Sequence, residues 1–167
     1  MSPKAILIGA PGCGKTTVGV LLADQLGVTF RDTDADVEAL TGMTIADLFV
    51  ERGEDYFRDL ESEAVRAAIR SHDGVLSLGG GAVLRPETQT ALRGQHVVYL
   101  EVDAAEAARR VGLNTARPLL LGNVRGQLSS LLQQRRPIYE SVATVTVNTV
   151  GRAADEVADT IAKELVA

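Results

Sequence analysis

Residues Gly9-Ala10-Pro11-Gly12-Cys13-Gly14-Lys15-Thr16 spell Gly-x-x-x-x-Gly-Lys-Thr, and no other run restricts the fold as tightly. Before it lies Lys4 to Gly9, short and apolar. After it Lys15 to Leu26 carries Val18, Leu21, Leu22 and Leu26 at helical spacing. A strand must therefore turn abruptly into a helix across a loop containing Gly12 and Gly14. Glycines let successive N–H groups face inward with no Cβ in the way. The helix starting at Lys15 aims the positive end of its dipole at the same point. Such a loop cradles anions, phosphates above all. Chance matches arise on the order of once per hundred chains this long, and the strand-loop-helix context lowers that further.

The rest of the chain repeats that alternation. Val28 to Asp32, Val75 to Leu78, His96 to Val102 and Thr144 to Val147 read as further strands, rich in Val, Ile and Leu as buried parallel strands are. Between them, Glu54 to Arg70 carries Phe57, Leu60, Ala64 and Ala67 or Ala68 at helical spacing. Thr44 with Asp47 resembles a capping box opening Ile45 to Arg52. Pro86 starts another helix, Asp103 caps a fifth, and Ala153 to Leu165 closes the chain. The alternation predicts an α/β fold with a parallel sheet, in one domain spanning 1–167. Gly112 to Gly126 breaks the rhythm and is expected to be a loop with a binding role.

Composition narrows the function. A net charge of −5 lacks the basic footprint that nucleic acid demands, so no nucleic-acid partner is expected. Cys13 has no second cysteine to bond with, and His72 and His96 are too far apart in sequence to suggest a metal cage. No apolar run is long enough to cross a bilayer, and no secretion signal is evident, so no membrane partner and a cytoplasmic location are expected.

Within this frame, the phosphate contacts expected at the loop are Gly12, Cys13, Gly14, Lys15, Thr16 and Thr17. Lys15 reaches the β- and γ-phosphates of ATP and the Thr16 hydroxyl holds Mg²⁺. Cys13 acts through its backbone, with oxidation of its thiol the alternative. Asp32-Thr33-Asp34 stands at the end of the second strand, where open α/β sheets place ligands. Asp32 suits the water shell of the metal. Asp34, on the same side of an extended chain, suits an acceptor hydroxyl, with helix capping ahead of Ala35 to Leu40 as the alternative. Gly79-Gly80-Gly81 follows the third strand, and three glycines there fit a wall that a ligand approaches closely. Arg58, Arg117 and Arg135 are candidate anion-binding groups. For Arg58 the alternative is a helix ion pair with Glu54 or Glu61.

Taken together, these residues resemble the shikimate kinase family from Lys4 nearly to the end. The likeness is carried by Gly9 to Thr16, Asp32-Thr33-Asp34, Gly53-Glu54-Asp55-Tyr56-Phe57-Arg58, Leu78-Gly79-Gly80-Gly81-Ala82-Val83, Arg117-Pro118-Leu119-Leu120, and Arg135-x-Pro137-Ile138-Tyr139. It implies a three-layer P-loop kinase fold with a five-stranded parallel sheet in the order 2-3-1-4-5. A substrate-binding segment at about 33–61 and a lid at about 112–124 go with it. The implied reaction transfers the γ-phosphoryl group of ATP to the 3-hydroxyl of shikimate, with Mg²⁺, towards aromatic amino acids. Asp34 then meets the shikimate hydroxyls, while Arg58 and Arg135 grip its carboxylate and Gly79, Gly80 and Gly81 pack against its ring. Arg117 covers the transferring phosphate, and Arg110 and Arg152 lie along the adenine. A monomer is expected by the same analogy.

Three positions depart from the family pattern: Cys13, where Ser or Thr is commoner, the loosely aligned Gly122 to Gln133, and Ala154, where some members carry proline. A kinase for gluconate or a nucleoside monophosphate shares the cradle, but lacks a reason for Asp34, Arg58, Arg135 and the glycine triplet together. A GTPase would carry Asn-Lys-x-Asp, and none of Asn114, Asn123 or Asn148 is followed by lysine. A catalytically dead binding protein has no need to keep Lys15, Thr16, Asp34 and Arg117 together.

Overall fold

The computed structural model describes residues 2–114 and 124–166. Five strands form one sheet: β1 (Ala5–Ile8), β2 (Phe30–Asp32), β3 (Val75–Ser77), β4 (Val97–Glu101) and β5 (Val145–Asn148). Their order is β2-β3-β1-β4-β5, and every pairing is parallel. This is the order that the family resemblance implies.

Alternation along β1 explains the layers. Ala5 and Leu7 face one side, where they meet α1 (Lys15–Leu26) and α8 (Ala154–Val166) through Val18, Leu22, Val157 and Ile161. Ile6 and Ile8 face the other, towards Val65, Ala68 and Ile69 of α4 (Glu54–Ser71). β4 follows the same rule, with Val98 and Leu100 on the first side and Val97 and Tyr99 on the second. Both faces are covered, so β1 is buried throughout. A satellite core of Val37, Leu48 and Phe57 joins α4 to α2 (Thr33–Thr41) and α3 (Ile45–Arg52). The remaining helices are α5 (Pro86–Ala91), α6 (Ala104–Asn114) and α7 (Val124–Val142).

Several local signals act as expected. Thr44 Oγ1 accepts from the Asp47 N–H at 3.1 Å, the N-cap half of the expected capping box, and Pro86 stands in the first turn of α5. Asp103 Oδ1 accepts from the Glu106 N–H at 2.8 Å, capping α6.

Other expectations need correction. Gly112 to Gly126 is not wholly a loop, since α6 runs to Asn114 and α7 starts at Val124. The expected lid, with Arg117, otherwise falls on residues 115–123, outside those described. Helix α7 contains Pro137, whose ring removes one N–H from an exposed stretch that tolerates the loss. The stripe read on α4 is only half of its buried surface. Leu60 and Ala64 serve the satellite core, while Arg58, Glu61, Ser62 and Val65 line the other side. No described helix is long and apolar enough to cross a membrane.

Candidate active site

The cradle forms where β1 ends. Gly12 and Gly14 adopt φ of 84° and 93°, left-handed values that a side chain resists. A Cβ on Gly12 would lie 2.8 Å from the Ala107 carbonyl oxygen, so the loop also packs too closely on α6 for one. Gly14 is the N-cap of α1 and offers no side-chain acceptor, leaving the first amides of α1 free for an anion. Lys15 folds back over the loop, donating to the Gly9 carbonyl at 2.7 Å. Cys13 is 1% exposed with Sγ 3.6 Å from Lys15 Nζ. The oxidation-prone reading of its thiol therefore fails on access.

On one side of the cradle lies a cleft of about 440 Å³ bounded by α6 and the turn between β5 and α8. Arg109, Arg110, Thr149, Arg152 and Ala154 line it. Arg110 is a brace here. It donates to the carbonyls of Gly12 and Cys13, both at 3.2 Å, and to the Thr149 carbonyl at 3.0 Å. Glu106 holds it in place at 3.0 Å, and bonds to Arg109 and Arg110 keep that carboxyl down at about 2. Arg152 donates to Thr160 and to the carbonyls of Asn148 and Glu156.

On the other side a second cleft of about 340 Å³ brings Lys15, Thr16, Thr17, Asp32 and Asp34 against Gly79 and Gly80. Thr16 and Thr17 are exposed to it. The acidic pair is arranged by helix capping, not by an extended chain. Asp32 is the N-cap of α2, and its Oδ1 accepts from the Asp34 N–H at 2.9 Å. Asp34 thus sits in the first turn and is not itself the cap. Burial raises the Asp34 carboxyl above its ordinary value, and Asp32 adds to the effect against the pull of Lys15. Burial also raises Asp32, opposed first by that Asp34 amide.

The glycine triplet is explained by what stands over each residue. A Cβ on Gly79 would lie 2.6 Å from Asp34 Oδ1 and 2.7 Å from Glu61 Oε2. On Gly80 it would lie 3.2 Å from Pro11 Cδ and 3.4 Å from Arg135 Nη1. On Gly81 it would overlap the Arg58 guanidinium. The three expected acceptor-binding side chains, Asp34, Arg58 and Arg135, thus converge on one glycine floor.

The ion-pair alternative for Arg58 is realised without removing it from the site. Its Nε meets Glu54 at 3.3 Å and its Nη1 meets Glu61 at 2.7 Å, with the residue 9% exposed. Glu61 was legible only as a pairing partner. It is 2% exposed, and burial raises its carboxyl above the ordinary range while Arg58 opposes that. Tyr139 was legible as part of a motif but without a role. It is fully buried and its hydroxyl donates to the Gly80 carbonyl at 2.6 Å.

Among the described residues no three His, Cys, Asp or Glu side chains gather as a metal cage. The Thr16 hydroxyl and the Asp32 carboxylate, both on the smaller cleft, suit a cation that keeps its waters and arrives with a nucleotide, as Mg²⁺ does.

Comparison with known proteins agrees. A family model described as shikimate kinase matches residues 11–166. A shikimate kinase of Thermobifida fusca is 58% identical over 163 residues, covering 98% of this chain and 95% of that one. One from Salinispora arenicola is 54% identical over 167 residues, with 100% of both chains covered. Among solved structures, shikimate kinase from Acinetobacter baumannii in complex with shikimate superposes with a TM-score of 0.88 at 35% identity, over 97% of this chain and 92% of that chain. The Bacteroides thetaiotaomicron shikimate kinase superposes with a TM-score of 0.90 at 28% identity, with 100% of both chains covered. By sequence and by fold, the chain belongs to the shikimate kinase family.

Proposed function

We propose that this chain transfers the γ-phosphoryl group of ATP to the 3-hydroxyl of shikimate, giving shikimate 3-phosphate and ADP. One observation carries the reading. Asp34 and Arg58 occupy the space in which a side chain on Gly79 or Gly81 would begin, and Arg135 stands in contact distance of the same place on Gly80, one wall away from Lys15 and Thr16. A carboxylated ring with hydroxyls is the ligand that needs forked cations at one end and a carboxylate at the other.

The adenosine lies in the larger cleft along Arg110 and Arg152, and the phosphates bend through Gly12 to Thr17. Lys15 leaves the Gly9 carbonyl to follow the β- and γ-phosphates. Thr16 and Asp32 would hold Mg²⁺, which would supply neutralisation of the phosphate charge. Shikimate rests on Gly79, Gly80 and Gly81 with its carboxylate between Arg58 and Arg135. Glu54 and Glu61 hold Arg58 ready, so little side-chain freedom is lost on binding. Asp34 receives the hydrogen bond of the 3-hydroxyl and then its proton, a task suited to a carboxyl whose proton affinity is raised. Arg117, outside the described residues, is assigned to the γ-phosphate by the family resemblance alone.

The test is the product. With Mg²⁺, ATP and shikimate, ³¹P NMR should give a phosphomonoester coupled to the proton on carbon 3. Phosphate on another hydroxyl, or inorganic phosphate alone, overturns the assignment.

A further inference from the structure

The fully buried Tyr139 lies beneath the glycine floor, not on it. Its ring stacks on Tyr99 with centroids 5.0 Å apart and planes at 26°, which fixes where the hydroxyl ends. That hydroxyl donates to the Gly80 carbonyl at 2.6 Å. Every described peptide bond is trans, so the N–H of Gly81 lies on the opposite edge of the same peptide plane. Among the described residues, that N–H has no protein partner. Turning one edge of the peptide down into the core turns the other edge up.

Arg135 is four residues before Tyr139 on α7 and so shares its helix face. The Arg135 guanidinium stands against Gly80, with Nη1 3.4 Å from the place of a Cβ there. Burial raises the Tyr139 phenol, and Arg135 is the largest influence opposing that shift. One phenol thus touches the backbone of the floor and borders one of the two cations above it.

We infer that Tyr139 is a positioning residue for the acceptor's carboxylate. It fixes the Gly80–Gly81 peptide and, from the same helix face, the approach of Arg135, without touching the acceptor. The inference rests on the proposed carboxylate site between Arg58 and Arg135. A ligand lacking that carboxylate gains nothing from Tyr139.

The experiment compares shikimate with its methyl ester in wild type, Tyr139→Phe and Tyr99→Phe. Wild type should prefer the acid in KM by a wide margin; equal KM values overturn the carboxylate site itself, and the inference with it. Tyr139→Phe should raise KM for the acid by about 5- to 10-fold, the loss of roughly one hydrogen bond's worth of positioning. Its KM for the ester and for ATP should stay near wild type, so the acid-to-ester preference shrinks. Tyr99→Phe disturbs the same stack but keeps the Tyr139 hydroxyl, and should leave that preference intact. An unchanged preference in Tyr139→Phe, or an equal loss in Tyr99→Phe, overturns the role. If Tyr139→Phe does not fold, wild type labelled with 3-fluorotyrosine gives the answer. The ¹⁹F signal of Tyr139, assigned among three tyrosines by Tyr56→Phe and Tyr99→Phe, should shift with the acid and not with the ester. Equal shifts with both ligands, or none, overturn the role.

Discussion

The Arg58 guanidinium occupies the space in which a side chain at position 81 would begin. A Cβ on Gly81 would overlap Arg58 Nη2 and lie 2.6 Å from its central carbon. Gly81 has φ of −102° and ψ of 6°, values open to any residue. The glycine is needed for contact, not for backbone freedom. At Gly79 the contact is instead with Asp34 and Glu61.

Gly81→Ala should therefore displace Arg58 and raise KM for shikimate by ~10-fold or more, with KM for ATP little changed. Gly79→Ala should push on Asp34 and lower kcat more than it raises KM. Steady-state kinetics on the two variants separates them. The same pattern in both would mean that the floor acts as one unit with no residue-by-residue division.

Lys15 donates to the Gly9 carbonyl and must exchange that partner for phosphate. Lys15→Ala should cut kcat by ~10²-fold or more, as the loss of one donor to developing charge does elsewhere. Circular dichroism and melting should show a folded protein. Wild-type turnover would remove Lys15 from the chemistry.

Asp34 carries the clearest pH signature. Its folded carboxyl binds a proton more tightly than the ordinary value of 3.8, because burial and Asp32 both disfavour the charge. Its stabilising contribution is thus fully present below that ordinary value and is lost as pH rises through the raised folded value. At pH 7 the ionised group costs stability, so Asp34→Asn should melt roughly 2–5 °C above wild type while losing most of its rate. The difference in melting temperature should close as pH falls towards 4. A variant that melts lower at pH 7, or a difference that widens in acid, would contradict the strained carboxylate.

With no cage of His, Cys, Asp or Glu among the described residues, the protein should not retain metal through dialysis. Elemental analysis should find far less than one Mg²⁺ per chain. A chelator should stop ADP release at once, and excess Mg²⁺ should restore it. Stoichiometric metal after dialysis would place a site that the described residues do not form.

Much of this site was legible because it is written in short runs. The cradle needs contiguous glycines and a lysine, and its strand and helix are the next residues on either side. Asp34, Arg58 and the glycine triplet were legible too, but as separate runs joined by family likeness. Their convergence depends on β2 and β3 lying side by side, which no local pattern encodes. Helix α7 was not assigned from the sequence, although Leu128, Leu131, Leu132, Ile138 and Tyr139 keep helical spacing. Packing of that face against α6 and β4 outweighs the poor helix propensity of Gly126 and Pro137. The places of Glu61 and Tyr139 at the glycine floor depend on residues distant in sequence, Gly79 and Gly80.

The most direct measurement is ADP release by the purified protein with Mg²⁺ and ATP, in parallel with shikimate, gluconate, AMP and no acceptor. The floor of Gly79, Gly80 and Gly81 beneath Asp34, Arg58 and Arg135 predicts strong stimulation by shikimate alone. Stimulation by gluconate or AMP, or release independent of any acceptor, would leave the phosphate cradle standing and contradict the carboxylate site built beside it.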